Sequence, residues 1–320
     1  MNQFRRVVGI GWVLLIAVAA VYARMKSVPV AVALPLVVAF LVEFPFYLLP
    51  GFAAAREVLL SGGKAKAAAF LSVSAVAPWL VYAVGTRHFN LPALAVMCCI
   101  AIVLCFWYVA FPAGAAADLI YLGLFAVIVL AKVFAKVFPA PIPKLDVSVL
   151  GHVMLIRVLA FSFMAIRGNA GADYRFWPAK REWLLGLQWF AILMPAVVAA
   201  YWGLGLMTLR AHPLNIFLVI GTFFGILWVT AISEEFIFRG LLQPWLERWT
   251  SSPVIGLIVT ALLFGSVHLG FHGPFPNWRF STVAAVLGLF LGMARRKTGG
   301  IQAGMVAHAL VVAVWKMFLV

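Results

Sequence analysis

LPALAVMCCIAIVLCFWYVAF, residues Leu91–Phe111, runs for twenty-one positions without a charge. A helix rises 1.5 Å per residue, so about 20 apolar residues cross the roughly 30 Å hydrocarbon core of a bilayer. There every backbone N–H and C=O must be satisfied internally, which a helix does within its own segment. Comparable runs lie on either side of this one, near 7–23, 28–50, 67–86, 115–138, 147–166, 183–206, 214–246, 253–271, 280–294 and 300–319. The expected fold is all-α: a polytopic transmembrane helical bundle of about ten or eleven spans.

Composition excludes the alternative of two soluble domains that 320 residues would otherwise suggest. Hydrophobic residues make up 66% of the chain and charged residues 10%, against about 45–50% and 25% in a typical soluble domain. Lys and Arg number 24 against nine Asp and Glu, a balance of +15. On a soluble chain that excess would raise nucleic acid as a partner. Here the basic residues cluster at the ends of apolar runs, where they set topology, so the expected surroundings are the lipid bilayer and no nucleic acid. With the N-terminus inside, the inner segments hold fourteen Lys and Arg, among them Arg5, Arg6, Lys64 and Arg296. The outer segments hold eight, among them Arg24, Arg87, Arg210 and Lys316. The expectation is a cytoplasmic N-terminus, with the first run retained as an anchor. Richness in Ala, Val and Gly fits a GC-rich prokaryotic source and hence an inner membrane.

Cys98, Cys99 and Cys105 all fall in the 91–111 run, without metal-type spacing, and read as packed or lipid-facing side chains. Pro139-Ala-Pro-Ile-Pro-Lys-Leu-Asp146 is a rigid connection after five spans. It divides the chain into residues 1–146, with about five spans, and 147–320, with about six. The longest polar loop, 167–182, follows one span later. The pattern G-x-x-x-G, which lets helices approach closely, occurs at Gly221/Gly225, Gly288/Gly292 and Gly300/Gly304.

Ionisable groups inside a bilayer are expensive and therefore mark function. Two adjacent acids stand in an apolar run, in WVTAISEEFIFR, Trp228–Arg239. Glu235 and Arg239 are four apart and share a helix face, so they can pair. Glu234 is rotated about 100° away, which leaves it available for chemistry. Snorkelling of both glutamates to the headgroups is the plainer reading, but apolar Gly240–Leu246 still follows. His268 and His308 are lone imidazoles in apolar runs. Glu234, His268 and His308 stand fourteen, sixteen and eleven residues from Arg248, Ser252 and Lys297, roughly 17–24 Å from one face at 1.5 Å per residue. Three polar groups on three helices thus reach a similar level. His88, His152, His212 and His272 show no such arrangement.

At these residues the sequence resembles the CAAX-protease and bacteriocin-processing (CPBP) group of intramembrane endopeptidases. That group carries E-E-x-x-x-R on one helix, F-x-x-x-H on the next and a later H-x-x-x-N. Glu234-Glu235-Phe-Ile-Phe-Arg239 matches the first and Phe264-Gly-Ser-Val-His268 the second. The third matches at His308, with Val312 in the place of Asn. The resemblance covers about residues 150–320, including the loop Phe176-Trp-Pro-Ala-Lys-Arg-Glu-Trp183. It implies Glu234 as the base that activates water, with His268 assisting, and Glu235 and Arg239 as supports. His308 would stabilise the oxyanion, without the donor that Asn would supply.

The residues support the same chemistry independently. Peptide hydrolysis needs a water, a base and hydrogen-bond donors for the developing negative charge. No cofactor is expected, although Glu and two His could supply three zinc ligands. The expected activity is endopeptidase cleavage of a membrane-anchored protein or peptide substrate. A catalytically silent scaffold or immunity-type protein on the same fold is the alternative, for which Val312 argues. A proton-coupled transporter is a further one, because intramembrane Glu and His also build relays.

Overall fold

The computed structural model describes residues 1–168, 174–206 and 216–318. Arg210 and the middle of the 167–182 loop lie outside the described residues. Those described are helical or in turns and loops, without a strand. Seven helices are long and apolar enough to cross a membrane by length and composition, and three shorter apolar helices accompany them. The protein is a polytopic, all-helical integral membrane protein. The chain divides into two compact units, Met1–Ala170 and Gly171–Val320, so the division falls after the helix that follows the proline-rich connection.

The first unit contains α1 (Asn2–Met25), α2 (Val30–Leu48), α3 (Ala53–Leu60), α4 (Lys64–Gly85), α5 (Leu91–Ala110), α6 (Ala115–Leu130), α7 (Val133–Val137) and α8 (Val149–Phe161). The charge-free stretch Leu91–Phe111 forms α5. Its start is fixed by Asn90, whose Oδ1 accepts the Ala93 N–H at 2.8 Å, the usual N-cap arrangement. The run expected at 115–138 is two helices. It breaks at Ala131–Lys132, where Lys132 adopts a left-handed conformation with φ 52° that helix interiors exclude.

Two buried ionic clusters hold this unit together. Arg157 donates through Nε to Glu43, through Nη1 to Ser74 Oγ at 3.1 Å and through Nη2 to the Ser74 carbonyl at 2.9 Å. Glu43 and Arg157 are both essentially inaccessible. Asp118 accepts from Tyr108 at 2.8 Å and from both Nε and Nη2 of Arg167 at 2.7 and 2.6 Å. In an apolar interior such charges persist only when paired and hydrogen-bonded, and both carboxylates meet that condition.

The second unit contains α9 (Lys180–Gly203), α10 (Ile216–Trp249), α11 (Pro253–Ser266), α12 (Trp278–Thr298) and α13 (Gln302–Phe318). At 34 residues, α10 is about 51 Å long. Two π-helical stretches interrupt it, Ile226–Ala231 and Phe236–Leu242, and they flank the turn Ile232–Glu235 that carries both glutamates. π-Turns inside α-helices concentrate at functional sites. The expected 280–294 span is longer in the structure and ends on Arg295, Arg296 and Lys297. Those cations suit the negative end of the helix dipole.

Glycines bring α11 and α12 together. A Cβ on Gly265 would lie 2.7 Å from the Ser281 carbonyl and 2.8 Å from Ala285 Cβ; one on Gly288 would meet the backbone of Ala261 at 3.3 Å. One on Gly292 would strike Leu257 Cδ1 at 2.4 Å. The G-x-x-x-G pair Gly288/Gly292 therefore serves close packing. Gly221/Gly225 does not, since a Cβ at either would meet open space. An apolar core including Trp189, Leu193, Phe264, Leu291, Val311 and Trp315 fills the unit between α9, α11, α12 and α13.

Candidate active site

The turn between the π-stretches points Glu234 and Glu235 in different directions, as adjacent helical positions must. Glu235 is fully buried, whereas the Glu234 side chain is 26% exposed. Glu235 Oε1 accepts from Arg239 Nη1 at 3.0 Å and from His308 Nδ1 at 3.0 Å. Its other oxygen faces α13, where Gly304 leaves room: a Cβ there would lie 3.2 Å from Oε2. Gly304 thus lets the helix bearing His308 approach the carboxylate.

Arg239 is also fully buried and is held on three sides. Besides Glu235, Nη2 donates to the Gly288 carbonyl at 2.9 Å, and the guanidinium lies 4.4 Å from the centre of the Phe264 ring. A desolvated cation over an aromatic face adds roughly 2 kcal/mol. The glycine motif on α12 therefore offers a bare carbonyl to the arginine as well as a packing surface.

His308 bridges the two glutamates. A carboxylate accepts only, so Nδ1 carries a proton toward Glu235. Nε2 faces Glu234 Oε2 at 3.7 Å, just beyond a direct hydrogen bond. His268 lies two residues past the end of α11, where the expected 253–271 run gives way to a turn. Its Nδ1 contacts the Phe264 carbonyl at 2.7 Å. A carbonyl is also acceptor-only, so His268 is protonated at Nδ1 and Nε2 is left as the basic nitrogen. The Phe264 ring stands between the histidines, 4.8 Å from His268 and 5.9 Å from His308. The structure thus brings Glu234, Glu235, Arg239 and His308 into one connected group. His268 adjoins it across Phe264, and among the described residues no hydrogen bond or ion pair links it to Glu234.

Glu57 and Asp146 are exposed; among the remaining described acids, ion pairing distinguishes Glu234. Among the described residues Glu43, Asp118, Glu182, Glu235 and Glu247 each pair with an arginine: Arg157, Arg167, Arg175, Arg239 and Arg295. Glu234 has a histidine instead. Also among the described residues, no three His, Cys, Asp or Glu side chains form a cluster suited to a metal ion.

Val312 stands one turn beyond His308 and packs against the apolar core of the unit. Ser266, near His268, and Gln302, on α13, are two side chains with hydrogen-bond donors near the site in sequence. The Ser266 hydroxyl is used by the Leu263 carbonyl at 2.8 Å. Gln302 is fully buried with both amide atoms unpaired, yet it stands six residues, about 9 Å along the axis, from His308. The pattern F-x-x-x-H marks Phe264 but not its place between the two histidines, and nothing in the sequence marks Gly265 as a contact or Gln243. Each follows from which helix lies opposite, and a single segment's pattern does not carry that information. The loop Phe176–Trp183 meets α10 through aromatic rings, with Trp177 6.0 Å from Trp228 and Trp228 Nε1 donating to the Phe176 carbonyl at 2.9 Å.

Residues 215–314 match the family model described as type II CAAX prenyl endopeptidase Rce1-like. The C-terminal part of the chain carries an Rce1-like domain. The matched span includes Glu234, Glu235, Arg239, His268, His308 and Val312. It leaves the first unit and α9 outside the Rce1-like domain. No curated protein and no solved structure matches the chain.

Proposed function

We propose that this protein is an intramembrane endopeptidase in which Glu234 activates the hydrolytic water. The observation that carries the reading is the pairing pattern: among the described residues Glu234 has a histidine, and no arginine, within ion-pair distance, on a partly open surface. A carboxylate locked to an arginine is a poor proton acceptor, because the cation holds it in the charged form.

In the proposed reaction Glu234 takes a proton from water as the oxygen attacks the scissile carbonyl carbon. His268, basic at Nε2, orients that water. In the scheme the oxyanion is met by the Nε2–H of a doubly protonated His308, whose Nδ1–H stays hydrogen-bonded to Glu235. Before attack ionised Glu234 and Glu235 balance Arg239 and His308; after it the oxyanion carries the charge that Glu234 has lost, so the site stays neutral, which suits an apolar setting. The C–N bond breaks as the proton passes from Glu234 to the leaving amine. No metal takes part in this scheme.

The substrate is proposed to be a membrane-associated protein or peptide cut close to the bilayer. The family description names CAAX prenyl endopeptidases, so a prenylated C-terminal peptide is one candidate, and a bacteriocin leader or an exported protein's C-terminal tail are others. The proposed setting is a prokaryotic inner membrane with the N-terminus cytoplasmic. Proteomics of membrane and secreted fractions from the parent strain and a Glu234→Ala strain tests the reading. A substrate that accumulates uncut only in the variant supports it, and identical processed termini in both strains refute it.

One observation favours a second reading, a catalytically silent scaffold. Val312 contributes no donor and packs into the apolar core, leaving His308 alone at the oxyanion. Losing one such donor costs about 10²–10³ in rate. A slow enzyme and a silent one differ in whether Glu234→Gln changes any cleavage.

A further inference from the structure

Glu235, Arg239, Gln243 and Glu247 recur every four residues and form one polar stripe along α10. Its lower end is partly open: Glu247 pairs with Arg295 at 3.1 Å, each side chain about one-fifth exposed. Gln243, fully buried, donates through Nε2 to Glu247 Oε1 at 2.9 Å and to the Gly292 carbonyl at 3.3 Å. Both partners are acceptors, which fixes the orientation of the amide and leaves Oε1 as the free acceptor. At the upper end Arg239 joins Glu235 and His308. The stripe is hydrogen-bonded throughout except between Arg239 and Gln243.

At that gap two buried atoms are unpaired, Arg239 Nε and Gln243 Oε1. One is a donor and the other an acceptor. Leaving both dry costs about 1–3 kcal/mol each, and more for the charged group. The two positions are one turn apart, about 6 Å along the axis, and a water making two hydrogen bonds of about 2.8 Å at a near-tetrahedral angle joins atoms about 4.5 Å apart. The facing wall is built from Gly288 and Gly292, whose missing Cβ atoms would lie 3.3 Å from Arg239 Nη2 and 3.0 Å from Gln243 Oε1. Their carbonyls are already engaged, each by the backbone N–H four residues on in α12 and by the Arg239 or Gln243 side chain, so a molecule in the groove would bond Nε and Oε1.

We infer that a single buried water is bound between Arg239 and Gln243, accepting from Nε and donating to Oε1. Buried waters make two to four hydrogen bonds to groups otherwise unsatisfied, and this site supplies two. The site completes a continuous chain from His308 through Glu235, Arg239, water, Gln243 and Glu247 to Arg295, about 18 Å along α10. Arginine does not give up its proton, so the chain fixes geometry and does not conduct protons. It holds the guanidinium plane across Glu235 and Gly288. The inference is independent of whether the protein cleaves peptides.

The test is an experimental structure of the purified full chain in lipid nanodiscs at a resolution that shows ordered water, for wild type and Gln243→Met. The expected result is a solvent peak within about 3.2 Å of both Arg239 Nε and Gln243 Oε1 in wild type, absent in the variant. A wild-type map with no peak there, or with either atom paired to a protein group, overturns the inference. Should Gln243→Met not fold, the wild-type map alone decides. Peptidase assays do not enter, so failure here is separable from failure of the proposed activity.

Discussion

Replacing Glu235 by Ala removes the acceptor shared by Arg239 Nη1 and His308 Nδ1, both at 3.0 Å. Arg239 has no exposed surface, so its charge cannot turn to water and keeps the Gly288 carbonyl and the Phe264 ring but no counter-charge. Removing one partner of a buried pair costs about 3–5 kcal/mol, because the remaining charge is uncompensated. The orphaned His308 N–H adds about 1–3 kcal/mol, not fully additive with the first term. For a unit of this size each kcal/mol lowers Tm by about 2–4 °C, so the expected fall is at least about 6–20 °C. Thermal unfolding in detergent, followed by tryptophan fluorescence, measures it. Glu235→Gln keeps an acceptor without the charge and should fall in between. Glu235→Ala combined with Arg239→Leu removes both charges and should be more stable than Glu235→Ala alone. A Tm for Glu235→Ala within about 2 °C of wild type, less than 1 kcal/mol on that scale, would refute the buried-pair reasoning.

Other outcomes follow from the same geometry. Val312→Asn should lower stability by about 1–3 kcal/mol without raising turnover, because the amide enters an apolar core lacking partners; a faster, equally stable variant in melting and cleavage assays would show that the position opens onto the site. Gly265→Ala should destabilise by about 1–3 kcal/mol, since its Cβ would meet backbone at 2.7 Å. Gly221→Ala, which meets open space inside a helix, should leave stability unchanged or raise it by up to about 1 kcal/mol through helix propensity. Stringent chelation should leave cleavage intact and elemental analysis should find no stoichiometric zinc, whereas one tightly bound zinc whose return alone restores activity would replace the glutamate scheme with a zinc one.

How much the sequence could reveal depends on the range of the interaction. Charge-free runs such as Leu91–Phe111 specify membrane helices because bilayer thickness sets their length. The four-residue spacing of Glu235 and Arg239 places them on one face, and they lie 3.0 Å apart. Contacts between distant segments leave no such trace. Glu43 and Arg157 are 114 positions apart, and neither stood out beside the adjacent glutamates. The same limit applies to G-x-x-x-G: Gly288/Gly292 and Gly221/Gly225 look alike, and only the first has a helix against it. The break at Lys132 and the π-turns of α10 are also invisible to hydropathy, which registers apolarity and is insensitive to one residue's φ or a shift from i→i+4 to i→i+5 bonding.

The central claim is that Glu234 performs hydrolysis within the membrane. The most direct measurement reconstitutes purified wild type and Glu234→Gln in liposomes with labelled membrane peptides, including a prenylated C-terminal peptide, and follows the products by mass spectrometry. The account predicts cleavage of at least one peptide by wild type, with ¹⁸O from labelled water in the new carboxyl group. It predicts a loss of at least about 10²-fold for Glu234→Gln, the lower end of what a positioned general base contributes, at a Tm close to wild type. Equal cleavage by the two folded proteins would contradict it.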